Sequence, residues 1–126
     1  MMPVGIAADT ASLVASEDIS AGEFVNIWND TGTPKVRLAD ATVTGKRADG
    51  FVLAAALTDE SATVYFEGSN TQLTGMTPGS LQYLDTTAGG VTETAPSTSG
   101  NVVQILGRAY SATAMAFEAV NPIELA

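Results

Sequence analysis

At 126 residues with no cysteine and no histidine, the chain excludes disulfide-stapled folds, thiolate metal sites and chemistry that runs on imidazole. A chain of this size buries roughly 65% of the surface its unfolded form exposes, so one domain can hold itself together without a metal or a cross-link. Fourteen acidic residues against five basic ones give a net charge of −9, which opposes direct contact with nucleic acid and favours solubility.

In chain order, residues 1–12 (MMPVGIAADTAS) are small and weakly patterned and read as an extended N-terminal arm. The arm has no basic start and no sustained apolar run, so a signal peptide is not expected, and synthesis in the cytoplasm is. Residues 13–70 read as a first β half. AGEFVNIWNDTG (21–32) is a strand closing on an Asn-Asp/Gly turn, and PKVRLAD (34–40) is its more polar partner. A polar linker, ATVTGKRAD, leads to the apolar GFVLAAAL (50–57), which reads as a strand too short to cross a bilayer. The turn TDES precedes ATVYFE (62–67), and EGSN (67–70) reads as another turn.

Residues 71–118 repeat that order. PGSLQYLDTTAGG (78–90) and GVTETAP (90–96) form the first hairpin, PSTSGN is the linker, and VVQILGRAY (102–110) and TAMAFE (113–118) form the second. The phrases SATVYFE and SATAMAFE are near copies. Alternation puts Val64 and Phe66 on one face with Tyr65 on the other, and Met115 and Phe117 inward with Ala114 and Ala116 behind them. A four-strand unit cannot cover both faces of its sheet, whereas two units can close on each other. An internal duplication and two merely similar hairpin pairs both fit this pattern. The tail AVNPIELA (119–126) carries a proline that a central ladder would reject, and reads as frayed or, in an assembly, as a grip on a neighbour. The expectation is a single all-β domain: a small barrel or sandwich of short antiparallel strands, with two similar four-strand halves and an arm.

Residues that could carry chemistry are sparse. Lys35 and Lys46 have no serine beside them in a Ser-Lys arrangement. Glu17-Asp18 and Asp59-Glu60 are adjacent pairs, which strands send to opposite faces, so they read as turn or edge charges. Asn29, Asp30 and Asp85 read as Asx-turn residues. No catalytic, cofactor-binding or metal site is expected. Lys35, Arg37, Lys46 and Arg47 fall within one short stretch, read either as a solvated hairpin or as a small basic patch for an acidic protein partner. Trp28, the only tryptophan, reads as a cover over the barrel mouth or as an interface anchor.

Several stretches, above all LTGMTPGSLQYL…GGVTETAPSTSGNVVQILGRAYSATAMAF, together with ADGFVLAA, ATVYFEGSN and NPIELA, resemble small structural proteins of tailed-bacteriophage virions. The resemblance is to capsid decoration, or cement, proteins. It implies a non-enzymatic protein on the outer surface of the head, bound to the major capsid protein as a homotrimer, without nucleic acid or membrane as partner. For that role the contact residues expected from the sequence are Met2, Pro3, Val4 and Ile6 of the arm and the basic hairpin with Lys35, Arg37, Lys46 and Arg47, with Trp28 added. A tail or fibre module recognising a host surface or carbohydrate is the alternative, although few aromatic residues are present for sugars to stack on.

Overall fold

The structure, a computed structural model, describes residues 9–126. The described chain is all β, with twelve strands: β1 (Thr10–Ala15), β2 (Phe24–Asp30), β3 (Thr33–Leu38), β4 (Gly50–Phe51), β5 (Ser61–Tyr65), β6 (Glu67–Asn70), β7 (Leu81–Leu84), β8 (Val91–Thr92), β9 (Val102–Val103), β10 (Ile105–Ala109), β11 (Met115–Glu118) and β12 (Ile123–Glu124). The first five close into a barrel in the order β1-β3-β2-β4-β5. Strands β6-β11-β10-β7-β8 make an open five-stranded sheet, and β12 pairs with β9 beside it.

The repeated phrases mark a repeated topology. Read round the barrel from β1, the order is β1-β5-β4-β2-β3; the open sheet runs β6-β11-β10-β7-β8, the same sequence of counterparts. The barrel closes where β1 meets β3 in parallel, through Val14 opposite Lys35 and Ala15 opposite Val36. The open sheet has no such pairing between β6 and β8.

Each unit thus has five strands rather than four. Two of them lie where the sequence pointed elsewhere. Thr10, Ala11 and Ser12 are not arm: they pair with Tyr65, Val64 and Thr63 as the start of a barrel strand. Glu67–Asn70 is not a turn but an edge strand on β11, continuing β5 into the second sheet with only Phe66 between. Conversely, residues 52–57 are not a strand. Only Gly50 and Phe51 belong to β4, and beyond them a single bridge joins Ala56 to Ile19. The expectation of antiparallel strands throughout is corrected at the β1–β3 seam, where a chain entering from outside the hairpins closes the ring in parallel.

Alternation along the barrel strands serves two cores. Val25, Val36, Val52, Ala62 and Val64 point inside the barrel with Ala15, Ile19 and Ala56, and Leu13, Ile27, Leu38 and Phe66 pack against them. Phe24 and Phe51, on the opposite faces of the same strands, point out into a second core shared with Leu84, Leu106, Met115 and Phe117, against which Tyr65 packs. Val64 and Phe66 therefore share one face and Tyr65 the other, as the alternation requires. Met115 and Phe117 point inward as expected and Ala116 is exposed, but Ala114 is itself buried. Each large side chain so buried contributes about 1.5–3 kcal/mol.

The two glycines that centre the matching apolar strands have a common cause. A Cβ on Gly50 would lie 2.6 Å from the Tyr65 carbonyl oxygen, and one on Gly107 would overlap that of Ala116. Gly107 sits at a bulge in the β7–β10 register with φ +151°, which no β-branched or bulky residue adopts easily. Tyr65 precedes Phe66 as Ala116 precedes Phe117, so the close approach recurs at corresponding places in the two phrases. Gly50→Ala should lower stability by about 1–3 kcal/mol and Gly107→Ala by more, in urea denaturation at unchanged m-value.

Candidate binding surface

Trp28, Asn26 and Phe24 lie on one face of β2, the face that points away from the barrel interior. Trp28 stands opposite Lys35 and Asn26 opposite Arg37 in the β2–β3 ladder. The hairpin turns at Thr31 and Gly32, where the Asn29 side chain accepts the Gly32 N–H at 2.7 Å, an Asx arrangement that fixes the register. On this platform the Arg37 guanidinium carbon lies 5.0 Å from the centroid of the Trp28 ring, while the indole N–H donates to the Ser16 hydroxyl at 3.0 Å. A cation over an aromatic face contributes about 0.5–1 kcal/mol near solvent. Trp28 is thus held on the outer wall, half-buried, and does not cover the barrel mouth. A shallow groove beside it is lined by Ile27, Trp28, Asn29, Gly32 and Pro34.

Three of the four basic residues are held by partners of their own chain. Lys35 pairs with Asp30 at 2.7 Å, and the hydrogen bond to that carboxylate raises its pKa above the ordinary lysine value. Arg37 Nε donates to the Asn26 side-chain oxygen Oδ1 at 2.9 Å, and Asn26 Nδ2 in turn donates to the Arg47 backbone carbonyl and to Asp49. Asp49 also accepts the Ile27 N–H at 2.9 Å. Arg47 Nε lies 3.2 Å from Asp49 Oδ1, close enough for an ion pair though not aligned as a hydrogen bond. Its two terminal nitrogens reach the Asn121 side chain at 2.6 Å and the Val120 carbonyl at 3.2 Å. Lys46 belongs to the adjoining turn, where its carbonyl accepts the Asp40 N–H at 2.9 Å. Of the four cations in the stretch read as a basic patch, two are therefore paired with the chain's own acids, Lys35 with Asp30 and Arg47 with Asp49, while Arg37 is held by the neutral Asn26 and Trp28. Met2, Pro3, Val4 and Ile6 lie outside the described residues.

The tail is held, contrary to the frayed reading. Ile123 and Glu124 pair with Val103 and Val102, Leu125 N–H donates to Asn101, and Gly100 N–H donates to Leu125. Beneath it Gln104, fully buried, takes the Ala48 N–H at 2.8 Å and returns its own amide to the Ala48 carbonyl at 2.9 Å and the Val120 carbonyl at 3.1 Å. One glutamine thus stands in for a strand neighbour, joining barrel, second sheet and tail. Nothing in an apolar strand such as VVQILG marks its polar residue for this part. An alternation of Val103, Ile105 and the cross-strand Ile123 and Tyr83 also leaves an outward apolar row on the second sheet, with Ile123 69% and Ile105 41% exposed.

Carboxylates elsewhere close turns. Asp18 accepts both the backbone N–H and the hydroxyl of Thr58, at 2.8 and 2.9 Å, and the N–H is the main reason its pKa falls below the ordinary aspartate value. Glu93 takes the Thr77 N–H and then the Gln82 amide, and its pKa is lowered in the same order of causes. Among the described residues no group of three or more His, Cys, Asp or Glu could hold a metal ion.

Two outcomes follow for solution work. Gln104→Leu leaves the N–H and C=O of Ala48 unpaired in the core, so it should cost about 2–5 kcal/mol and speed amide exchange in the tail as well as at Ala48. Because Asp18 and Glu93 are depressed, their stabilisation is complete above the unfolded carboxylate pKa and is lost as pH falls through the lower folded values. A melting series from pH 6 down to pH 2 should therefore be flatter for Glu93→Gln than for the parent chain, with the two converging at the acid end.

Comparison with family models, with curated proteins and with solved structures returned no match, which leaves the side chains themselves as the guide to function.

Proposed function

We infer that this protein is a non-enzymatic decoration protein of a tailed-phage head, binding the outer surface of the major capsid protein lattice as a homotrimer and stabilising the shell. The observation that carries this reading on the molecule itself is the Trp28–Arg37 pair. Tryptophan and arginine are the residue types that dominate protein interfaces when truncated, and they do so best when pre-organised. Here both are fixed before any partner arrives, by Ser16 and Asn26, on a hairpin with a rigid ladder. Many identical weak contacts on a lattice add up, since each contact after the first is effectively intramolecular. The resemblance to cement proteins supplies the partner.

The groove at Trp28 favours a second reading, a tail or fibre module that binds carbohydrate. Sugar stacking needs an open aromatic face, and Arg37 sits over one face of the indole. That makes the protein-interface reading the stronger. Purified protein added to undecorated heads should bind in register with the lattice and raise the temperature at which the heads open. Trp28→Ala, with far-UV circular dichroism unchanged, should weaken that binding by tenfold or more. Heads that neither bind the parent protein nor gain thermal resistance would overturn the reading, and glycan binding abolished by Trp28→Ala would establish the second one.

A further inference from the structure

The barrel wall is thinnest at the seam between β4 and β5. β4 stays with β5 for a single pair, Phe51 opposite Tyr65. Continued, that ladder would set Leu53 against Thr63 and Ala55 against Ser61. Residues 52–56 instead swing to the other side: Gly22 N–H donates to the Val52 carbonyl at 2.8 Å, and Ile19 and Ala56 exchange bonds of 2.8 and 2.9 Å. What opens is a cleft of about 190 Å³ lined by Leu53, Ala54, Ala55, Ala62, Thr63 and Tyr65.

The backbone of β5 faces into that cleft. Its other edge is committed to β1 and the adjoining chain, with Phe66 N–H donating to Asp9 at 2.9 Å and Glu60 accepting the Ala15 N–H at 2.8 Å. In an antiparallel strand these bonding positions alternate, so Ala62 and Val64 also turn their N–H and C=O to β1. Ser61 and Thr63 turn theirs to the cleft, where no backbone bond among the described residues uses them. A bare strand edge of this kind is a template for another extended segment.

We propose that the cleft receives residues 1–8 of a second copy of this chain as an added strand beside β5. The segment Met-Met-Pro-Val-Gly-Ile-Ala-Ala carries no charged side chain, so it can approach a protein of net charge −9 without repulsion. Val4 and Ile6 alternate with Gly5 and Ala7. Laid along β5, the larger pair covers Leu53 and Tyr65 on the outer side, and the small pair fits over Ala62, which is buried toward the barrel interior. Extended, eight residues reach about 26 Å, more than the roughly 10 Å of bare edge. A chain's own segment enters at Asp9, on the β1 edge of β5, and would have to cross that strand to reach the cleft. A neighbour's segment meets no such obstacle.

Sedimentation and amide exchange on the full chain test this without phage heads: self-association that does not run through residues 1–8 sinks this proposal and leaves the decoration reading, whose trimer needs only some interface, standing. The parent chain should self-associate, and the Ser61 and Thr63 amides should exchange at least tenfold more slowly as concentration rises, while those of Ala62 and Val64 hold steady. The double variant Val4→Asp/Ile6→Asp should be monomeric. So should Thr63→Pro, which removes an N–H that points away from β1 and so spares the β1–β5 ladder. Self-association that survives in Val4→Asp/Ile6→Asp would overturn the proposal. Exchange at Ser61 and Thr63 that is fast at every concentration, or slow at every concentration as an arm folded into its own cleft would make it, would overturn it too.

Discussion

Phe24, Phe51 and Phe117 meet between the two sheets, with ring centroids 5.2 to 5.8 Å apart and tilted or edge-on to one another. Phe24 and Phe51 belong to the barrel and Phe117 to the second sheet, so this contact makes one body of two units. Tilted and edge-on pairs of this kind add about 0.5–1.5 kcal/mol each beyond the area they bury. Tyr65 extends the cluster by stacking on Phe51 at 5.5 Å. Beside the cluster, within the barrel and within the second sheet, Gly50 and Gly107 stand where a side chain would strike a neighbouring strand's carbonyl.

Around this apolar centre the units are laced by polar groups that would be costly if unpaired. Gly89 donates to Ala39 and accepts from Phe24, Ala41 donates to Asp85, and Val102 donates to Ala41. Asn70, fully buried at the end of β6, donates to the Gly22 carbonyl at 2.9 Å. Gln104 completes the set beneath the tail. These bonds leave little freedom for one unit to slide on the other, because shifting the register would strand several buried donors at once. Rigidity of this origin would serve the contact proposed at Trp28 and Arg37, since anchors that are already fixed lose less entropy on binding.

The two units share a topology but not an outcome. In the first, Thr10–Ala15 reaches β3 and the ring closes. In the second, the corresponding strand is Glu67–Asn70, the continuation of β5, and its path is fixed by β5 and β11. A chain segment that serves the barrel at one end and the open sheet at the other cannot bend back to β8. The result is one closed barrel and one sheet, with tail strand β12 pairing with β9 beside it.

Turns, alternation and the near-copied phrases ending in Phe-Glu were enough to read an all-β chain with two similar halves, because hairpins are local and their signals sit within a few residues of each other. Asn29-Asp30 and the outward or inward sense of Tyr65, Phe66, Met115 and Phe117 follow from that local chemistry. The fifth strand of each unit was not fully legible: Thr10–Ser12 and Glu67–Asn70 are polar or small, and only distant partners make them strands. The same holds for the charges. Lys35, Arg37 and Arg47 cluster in the sequence as an apparent patch, yet Asp30, Asp49 and Asn121 take up two of them and Asn26 and Trp28 the third. Local composition determined most of the hairpin strands and their turns; the choice of neighbour, and with it the buried bonds of Gln104 to Ala48 and of Asn70 to Gly22, was decided by contacts between residues tens of positions apart, whose energies exist only once the chain has closed on itself.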